Sequence, residues 1–222
     1  MWSILTEPSH ASSAASLDAG EAIRRSAANI PGYGQTDVFY PESFGGTWKV
    51  TRNVKFNGSA TTLSLQYSMR FIQSIENGAV VADRGYNQAA LERAIFAAVK
   101  GSDQAASTDA VRSYEWVPSN PNDLRIVFSD GTKKEIKVTK RATERTSDTV
   151  SASEFQRVTQ EDEQRGIPVI SARRVISKWK TVDASALEAI EIVYDMGGGD
   201  PLAGASSQSS TMLSKSKLLL VR

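Results

Sequence analysis

The sequence predicts a mainly β fold: an antiparallel β-barrel with one inserted helix and a helical extension at the N-terminus. Three observations lead to it. From Trp48 onward, apolar residues recur at every second position in segment after segment. The turn-forming pairs Asn77-Gly78 and Asp130-Gly131 fall between such segments at hairpin spacing. One stretch, 87–100, replaces the two-residue period with a helical one. Alternation marks strands with one buried and one wet face. Consecutive hairpins favour a meander, and curling that meander into a barrel removes its exposed edges.

Residues 1–15 are Ser/Ala-rich and read as extended chain. Residues 16–30 can form a short helix, with Ser16 as its cap, Leu17, Ile23 and Ala27 on one face, and Pro31-Gly32 as its stop. The first strand alternates Trp48, Val50, Val54 and Phe56 with Lys49, Thr51, Asn53 and Lys55, and Arg52 falls on the apolar face. The second alternates Leu63, Leu65, Tyr67, Met69 and Phe71 with Ser64, Gln66, Ser68 and Arg70. Asn77-Gly78 suits a type I′ turn, and Ala79–Arg84 is the returning strand. Asn87 then caps a helix whose stripe is Leu91, Ile95, Ala98 and Val99. Residues 102–108 read as a polar loop.

Strands resume at Val111–Val117, followed by Pro118-Ser119-Asn120-Pro121-Asn122 as a connection. Leu124, Ile126 and Phe128 lead to Asp130-Gly131, with Ile136 and Val138 on the return. The polar stretch 139–148 reads as an exposed extension or loop. Residues 149–160 form a strand, and 162–168 a charged connection. Val169–Val182 and Leu187–Met196 pair, with Ile190, Ile192, Tyr194 and Met196 sharing a face. The Gly/Ser-rich segment 197–210 reads as a flexible loop, and Leu213–Val221 closes the chain. The organisation is an extension over 1–37 and a single β-barrel-like domain over 38–222.

Composition narrows the chemistry. The 222 residues carry 26 basic and 25 acidic side chains. No global field draws the chain to nucleic acid, so no nucleic-acid partner is expected. There is no cysteine, and the one histidine, His10, lies in the leader. Thiol nucleophiles, multi-histidine metal centres and histidine-paired active sites are therefore excluded. Gly197-Gly198-Gly199-Asp200 lacks the Lys-Ser/Thr of a phosphate loop. No catalytic residue, metal ligand or intrinsic cofactor is nominated, and a binding protein is expected rather than an enzyme. No run approaches the roughly 18–20 apolar residues of a membrane span. The first residues lack the regions of a signal peptide, which leaves a cytosolic chain and one relieved of its targeting peptide as the two expectations.

Four groups are candidates, each with two open readings. Trp48 is a plug at a barrel's end or an ordinary core tryptophan. Arg52, Tyr67 and Met69 share the inner face with it. They form a ligand pocket with one polar anchor, or a filled core in which Arg52 is paired, because a buried guanidinium needs an anion. Asp83-Arg84-Gly85-Tyr86-Asn87 is an anion site at a helix start or a strand end, turn and cap. Arg173, Arg174, Lys178 and Lys180, with Trp179, form a basic strand that receives an acidic partner or is a solvated face.

Gly46-Thr47-Trp48 resembles the Gly-x-Trp signature of lipocalins. In that family the tryptophan plugs an eight-stranded barrel and a late arginine packs across it; Arg222 is placed for that role. A longer series resembles an uncharacterised family of cyanobacterial and plastid proteins associated with thylakoids. It comprises Tyr40-Pro41 through Val50, Ala82 through Asn87, Pro118 through Asn122, and Ser153-Glu154-Phe155. The resemblance implies a lipocalin-like barrel in a plastid, peripheral at the thylakoid without a transmembrane helix, with the lumenal side slightly favoured. It implies an accessory or assembly factor whose partners are photosystem or antenna proteins. The alternative it implies is a carrier of a lipid, carotenoid or chlorophyll-type ligand, in which pigment or lipid contact stands in for a cofactor.

Overall fold

The computed structural model describes residues 37–75, 78–100, 109–162, 166–197 and 210–222. The helix expected at 16–30, His10, Asn77, the loop 102–108 and most of 197–210 lie outside the described residues. Past a 3-10 turn, Glu42–Phe44, the strands are β1 (Gly46–Phe56), β2 (Thr62–Gln73) and β3 (Val80–Ala82). The helix α1 (Arg84–Lys100) follows. Then come β4 (Val111–Val117), β5 (Asn120–Phe128), β6 (Lys133–Arg145), β7 (Thr149–Glu161), β8 (Val169–Thr181), β9 (Ala186–Asp195) and β10 (Thr211–Val221).

These form one ten-stranded antiparallel sheet in the order β3-β2-β1-β10-β9-β8-β7-β6-β5-β4. It is the expected meander, with the last strand returning to the first: Val50 faces Leu220 and Arg52 faces Leu218. The sheet curls into a half-barrel whose edges, β3 and β4, do not pair. Helix α1 connects them in sequence and packs on β2, β4 and β5. Closure thus comes from a helix rather than from a last strand-to-strand ladder.

The inner face carries two apolar clusters. One holds Trp48, Phe44, Phe71, Trp179, Leu187 and Leu220, joined by Tyr40. Its rings meet edge-on, with Phe71 5.8 Å from Trp179 and Phe44 5.4 Å from Phe71, a favoured aromatic geometry. The other lies beneath α1 and holds Ala89, Val111, Leu124, Ile126, Ile136 and Val158.

Trp48 is 1% exposed. Its indole N–H donates to the Phe44 carbonyl at 2.7 Å. The Arg222 guanidinium lies 4.5 Å from its ring centroid and donates to the carbonyls of Ser43 and Gly45 at 3.0 and 3.1 Å. This is the packing that the lipocalin resemblance implies. It joins the start of β1 to the end of β10 through a cation over an aromatic face. Gly46, at φ 113°, takes the chain into β1 through backbone space that a side chain would disfavour.

Several elements differ from expectation. The stretch 139–148 is not a loop, since β6 runs on to Arg145. A bulge between Val138 and Lys140 shifts the register, which turns Arg141 inward, where it finds a carboxylate. The helix begins at Arg84 rather than Asn87, because Asp83 is its cap: its carboxylate accepts the Tyr86 backbone N–H at 3.0 Å. Asn87 instead bonds both backbone groups of Arg70, at 2.6 and 3.0 Å. On β9, Ile190, Ile192 and Tyr194 share a face as expected; it is the outer one, since Leu187, Ala189, Glu191 and Val193 point inward and Ile190 is 42% exposed. Glu191 takes the inner face because a cation waits there.

Gly85 is required by close approach. A Cβ there would sit 2.6 Å from the Tyr114 ring and 3.0 Å from Cβ of Trp116. Gly85→Ala is expected to destabilise by about 1–3 kcal/mol. In a Tyr114→Ala background most of that loss disappears, as a double-mutant cycle of urea melts would show. An equal loss in both backgrounds would place the strain elsewhere.

Candidate functional site

Strand alternation sends polar residues inward at a few positions, and their registers bring them into a belt between the two apolar clusters. Arg52 points in from β1 and Glu191 from β9, across the intervening β10. They form an ion pair, and Arg52 Nε also donates to Ser216 Oγ on β10 at 3.2 Å. Burial opposes the Arg52 charge, yet Glu191, with Tyr67, raises its pKa overall. Burial also raises the Tyr67 phenol, with Arg52 partly offsetting it.

A larger network crosses the open side of the sheet. Arg84, the first residue of α1, donates to both Glu154 oxygens, at 2.7 and 3.1 Å, and to Asp37 Oδ1 at 2.7 Å. Arg141 Nε adds a bond to Glu154 Oε1 at 2.7 Å. Gln156 Nε2 adds one to Oε2 at 3.1 Å. Burial alone would raise the Glu154 pKa, but Arg84 and Arg141 outweigh it and hold the carboxyl well below the usual range. Nearby, Lys134 on β6 pairs with Glu92 of α1 at 2.7 Å, and Gln88 donates to the same oxygen at 2.9 Å.

Between these groups lies a cavity of about 450 Å³. Its apolar lining includes Val54, Leu65, Met69, Leu91, Ile95 and Val175. Arg52, Arg84, Lys134 and Arg173 face it as four cations against three carboxylates, Glu92, Glu154 and Glu191. Each carboxylate is already paired, with Lys134, Arg84 or Arg52.

Of the expected ligand-facing residues, Arg52, Tyr67 and Met69 line the cavity, while Trp48 lies in the cluster beside it. The basic strand does not present one surface. Alternation on β8 turns Arg173 and Trp179 toward the cavity and leaves Arg174, Lys178 and Lys180 outside. Arg174 binds Ser153 Oγ at 2.9 Å and covers the Phe155 ring at 5.3 Å. The expected basic residues over 173–180 thus divide between two sides of the sheet. The structure also brings in Glu154, Gln156 and Glu191, which sequence reasoning missed. Each stands in the apolar phase of its strand, the signal that singles out Arg52.

Residues 55–222 match a family described as a domain of unknown function (DUF6816), and the chain belongs to that family. This agrees with the expectation of an uncharacterised family. No curated protein matches the sequence. Among solved structures, an S-type phycobiliprotein lyase from Guillardia theta aligns over 82% of this chain and 89% of its own, at 9% identity and a TM-score of 0.31. A likeness that distant leaves function to the site itself.

The depressed pKa of Glu154 fixes a sign. Its charge stabilises the fold above the ordinary value of 4.5, and that contribution is lost as pH falls from there toward the folded value. Glu154→Gln is expected to lose about 3–5 kcal/mol at neutral pH. In urea melts the gap to the native chain should hold from pH 7 to 5 and narrow below about 4.5. A gap that does not change with pH would mean that the charge of Glu154 is not what ties the helix down.

Proposed function

We propose that the chain is a carrier that holds one amphipathic small molecule, a lipid or a chlorophyll-type pigment, inside the half-barrel. The observation that supports this is the cavity. Its volume of about 450 Å³ falls within the roughly 300–1,000 Å³ of small-molecule sites, and its composition, apolar walls with a few convergent polar groups, is theirs as well. A filled core of this size would be dry and close-packed.

Two further features support cargo. The strand registers place the C-terminal end of β1, the start of β8 and the start of β10 at one end of the half-barrel. Five exposed apolar side chains stand at that end: Phe56, Ile167, Val169, Ile170 and Leu213. Such a rim suits entry of an apolar molecule from a membrane or a partner. Along the cavity, the buried Trp179 Nε1–H has no acceptor among the described residues. A charged belt argues against a plain hydrocarbon carotenoid. A thylakoid setting, with a photosystem or antenna protein as destination, belongs to the same proposal and rests on the sequence resemblance.

Native mass spectrometry of the full chain, after exposure to a thylakoid lipid and pigment extract, is expected to show a one-to-one adduct. Val175→Trp, which fills the middle of the cavity, should abolish the adduct while the melting temperature stays close to that of the native chain. If the native chain shows no adduct, or if Val175→Trp binds as well as it does, the carrier reading fails.

A further inference from the structure

Among the described residues, the cavity cation Arg173 has no carboxylate of its own. Only its Nε has a partner, Gln156 Oε1 at 2.8 Å, and its two terminal nitrogens have none among the described residues. The carboxylates around it are held elsewhere: Glu191 by Arg52, Glu92 by Lys134, Glu154 by Arg84 and Arg141. Asp195 faces it across the β8–β9 register, but its Oδ1 accepts the Gly197 backbone N–H at 3.1 Å. Burial lowers the Arg173 pKa, and the three glutamates only partly offset that. A guanidinium stays charged regardless, and a charge partly withdrawn from water without a counterion is costly.

Its orientation is also set. Glu154 Oε2 accepts from the Gln156 amide nitrogen, which leaves the amide oxygen as the atom that can face Arg173. That oxygen takes Nε, so the two terminal nitrogens are presented to the cavity as a fork. A fork with both donors open matches a carboxylate, which can accept two parallel bonds. Arg173 also lies toward the apolar rim, since β8 begins there and its far end reaches Trp179 in the aromatic cluster.

We propose that Arg173 is the anchor for an acidic head group, and that the cargo is a carboxylic acid with an apolar body, bound head toward the rim and body toward Trp179. Gln156 is a positioning residue that aims the fork. The proposal rests on the carrier reading and narrows its ligand class. The carboxylate can come from a fatty acid or from a tetrapyrrole acid, and matched probes separate the two sources.

The test measures binding of two acid–ester pairs to the full chain: cis-parinaric acid with its methyl ester, and protoporphyrin IX with its dimethyl ester. At least one acid is expected to bind more tightly than its ester, by roughly tenfold to a hundredfold. Which pair shows the preference identifies the source. Arg173→Met should remove the preference, because it weakens acid binding far more than ester binding. Arg173→Lys, which keeps the charge without the fork, should retain part of it and guards against a folding defect in the first variant. Equal binding of acid and ester, or a preference that survives Arg173→Met, overturns the anchor while the carrier reading stands. If no probe binds and no adduct forms with the extract, the carrier reading falls, and the anchor falls with it.

Discussion

Everything in this half-barrel depends on one half-buried guanidinium, that of Arg84. The sheet leaves β3 and β4 unpaired, so no backbone ladder closes its open side. Arg84 begins the helix that covers that gap and links Asp37 on the incoming chain to Glu154 in the middle of β7. Its planar fork serves both carboxylates at once, which an ammonium could not do. Such a group withstands burial only if its partners are complete. The requirement passes outward: Glu154 needs Arg141, Arg141 needs the β6 bulge that turns it inward, and Arg84 needs Asp83 to start the helix at that residue.

The same constraint accounts for the cavity. The aromatic cluster around Trp48 and the aliphatic cluster under α1 would bury more surface by meeting. Between them stand Arg52 with Glu191, Lys134 with Glu92, and the Arg84 network, none of which can be pressed into apolar contact without losing its partners. The belt therefore acts as a spacer. Apolar walls and a residual positive charge remain in the space it holds open, a combination that suits an amphipathic acid better than a neutral oil.

Much of the fold was legible because strand alternation is a local signal. Trp48 to Phe56 and Leu63 to Phe71 could be read directly, and Gly46, Trp48 and Arg222 marked how the domain begins and ends. Local reading failed where a polar residue was buried through a distant partner. Glu191 interrupts the inner face of β9, so the more apolar phase of that strand, Ile190–Ile192–Tyr194, is the one that lies outside. The stretch 139–148 was too polar to read as a strand, because the bulge and Glu154 that make Arg141 an inward residue are not visible in its own sequence. Arg52 could be singled out for the same reason that its partner was missed: a charge in an apolar phase announces itself, but its counterion lies 139 residues away.

The tie and the cavity are one chain of hydrogen bonds. Asp37, Arg84, Glu154, Gln156 and Arg173 follow one another, each fixing the donor or acceptor that the next can offer. At the Asp37 end the network holds the helix against the sheet, and at the Arg173 end it faces open space. Glu154 is the joint. While ionised it accepts from Arg84, Arg141 and Gln156, and so dictates which way the Gln156 amide points. Protonated, its new O–H would compete to donate, and the amide would lose the reason for its orientation. The group that ties the helix to the sheet therefore also sets the geometry of Arg173, a cavity cation with no counterion among the described residues, so that side chain is positioned by the same interactions that make the half-barrel stable.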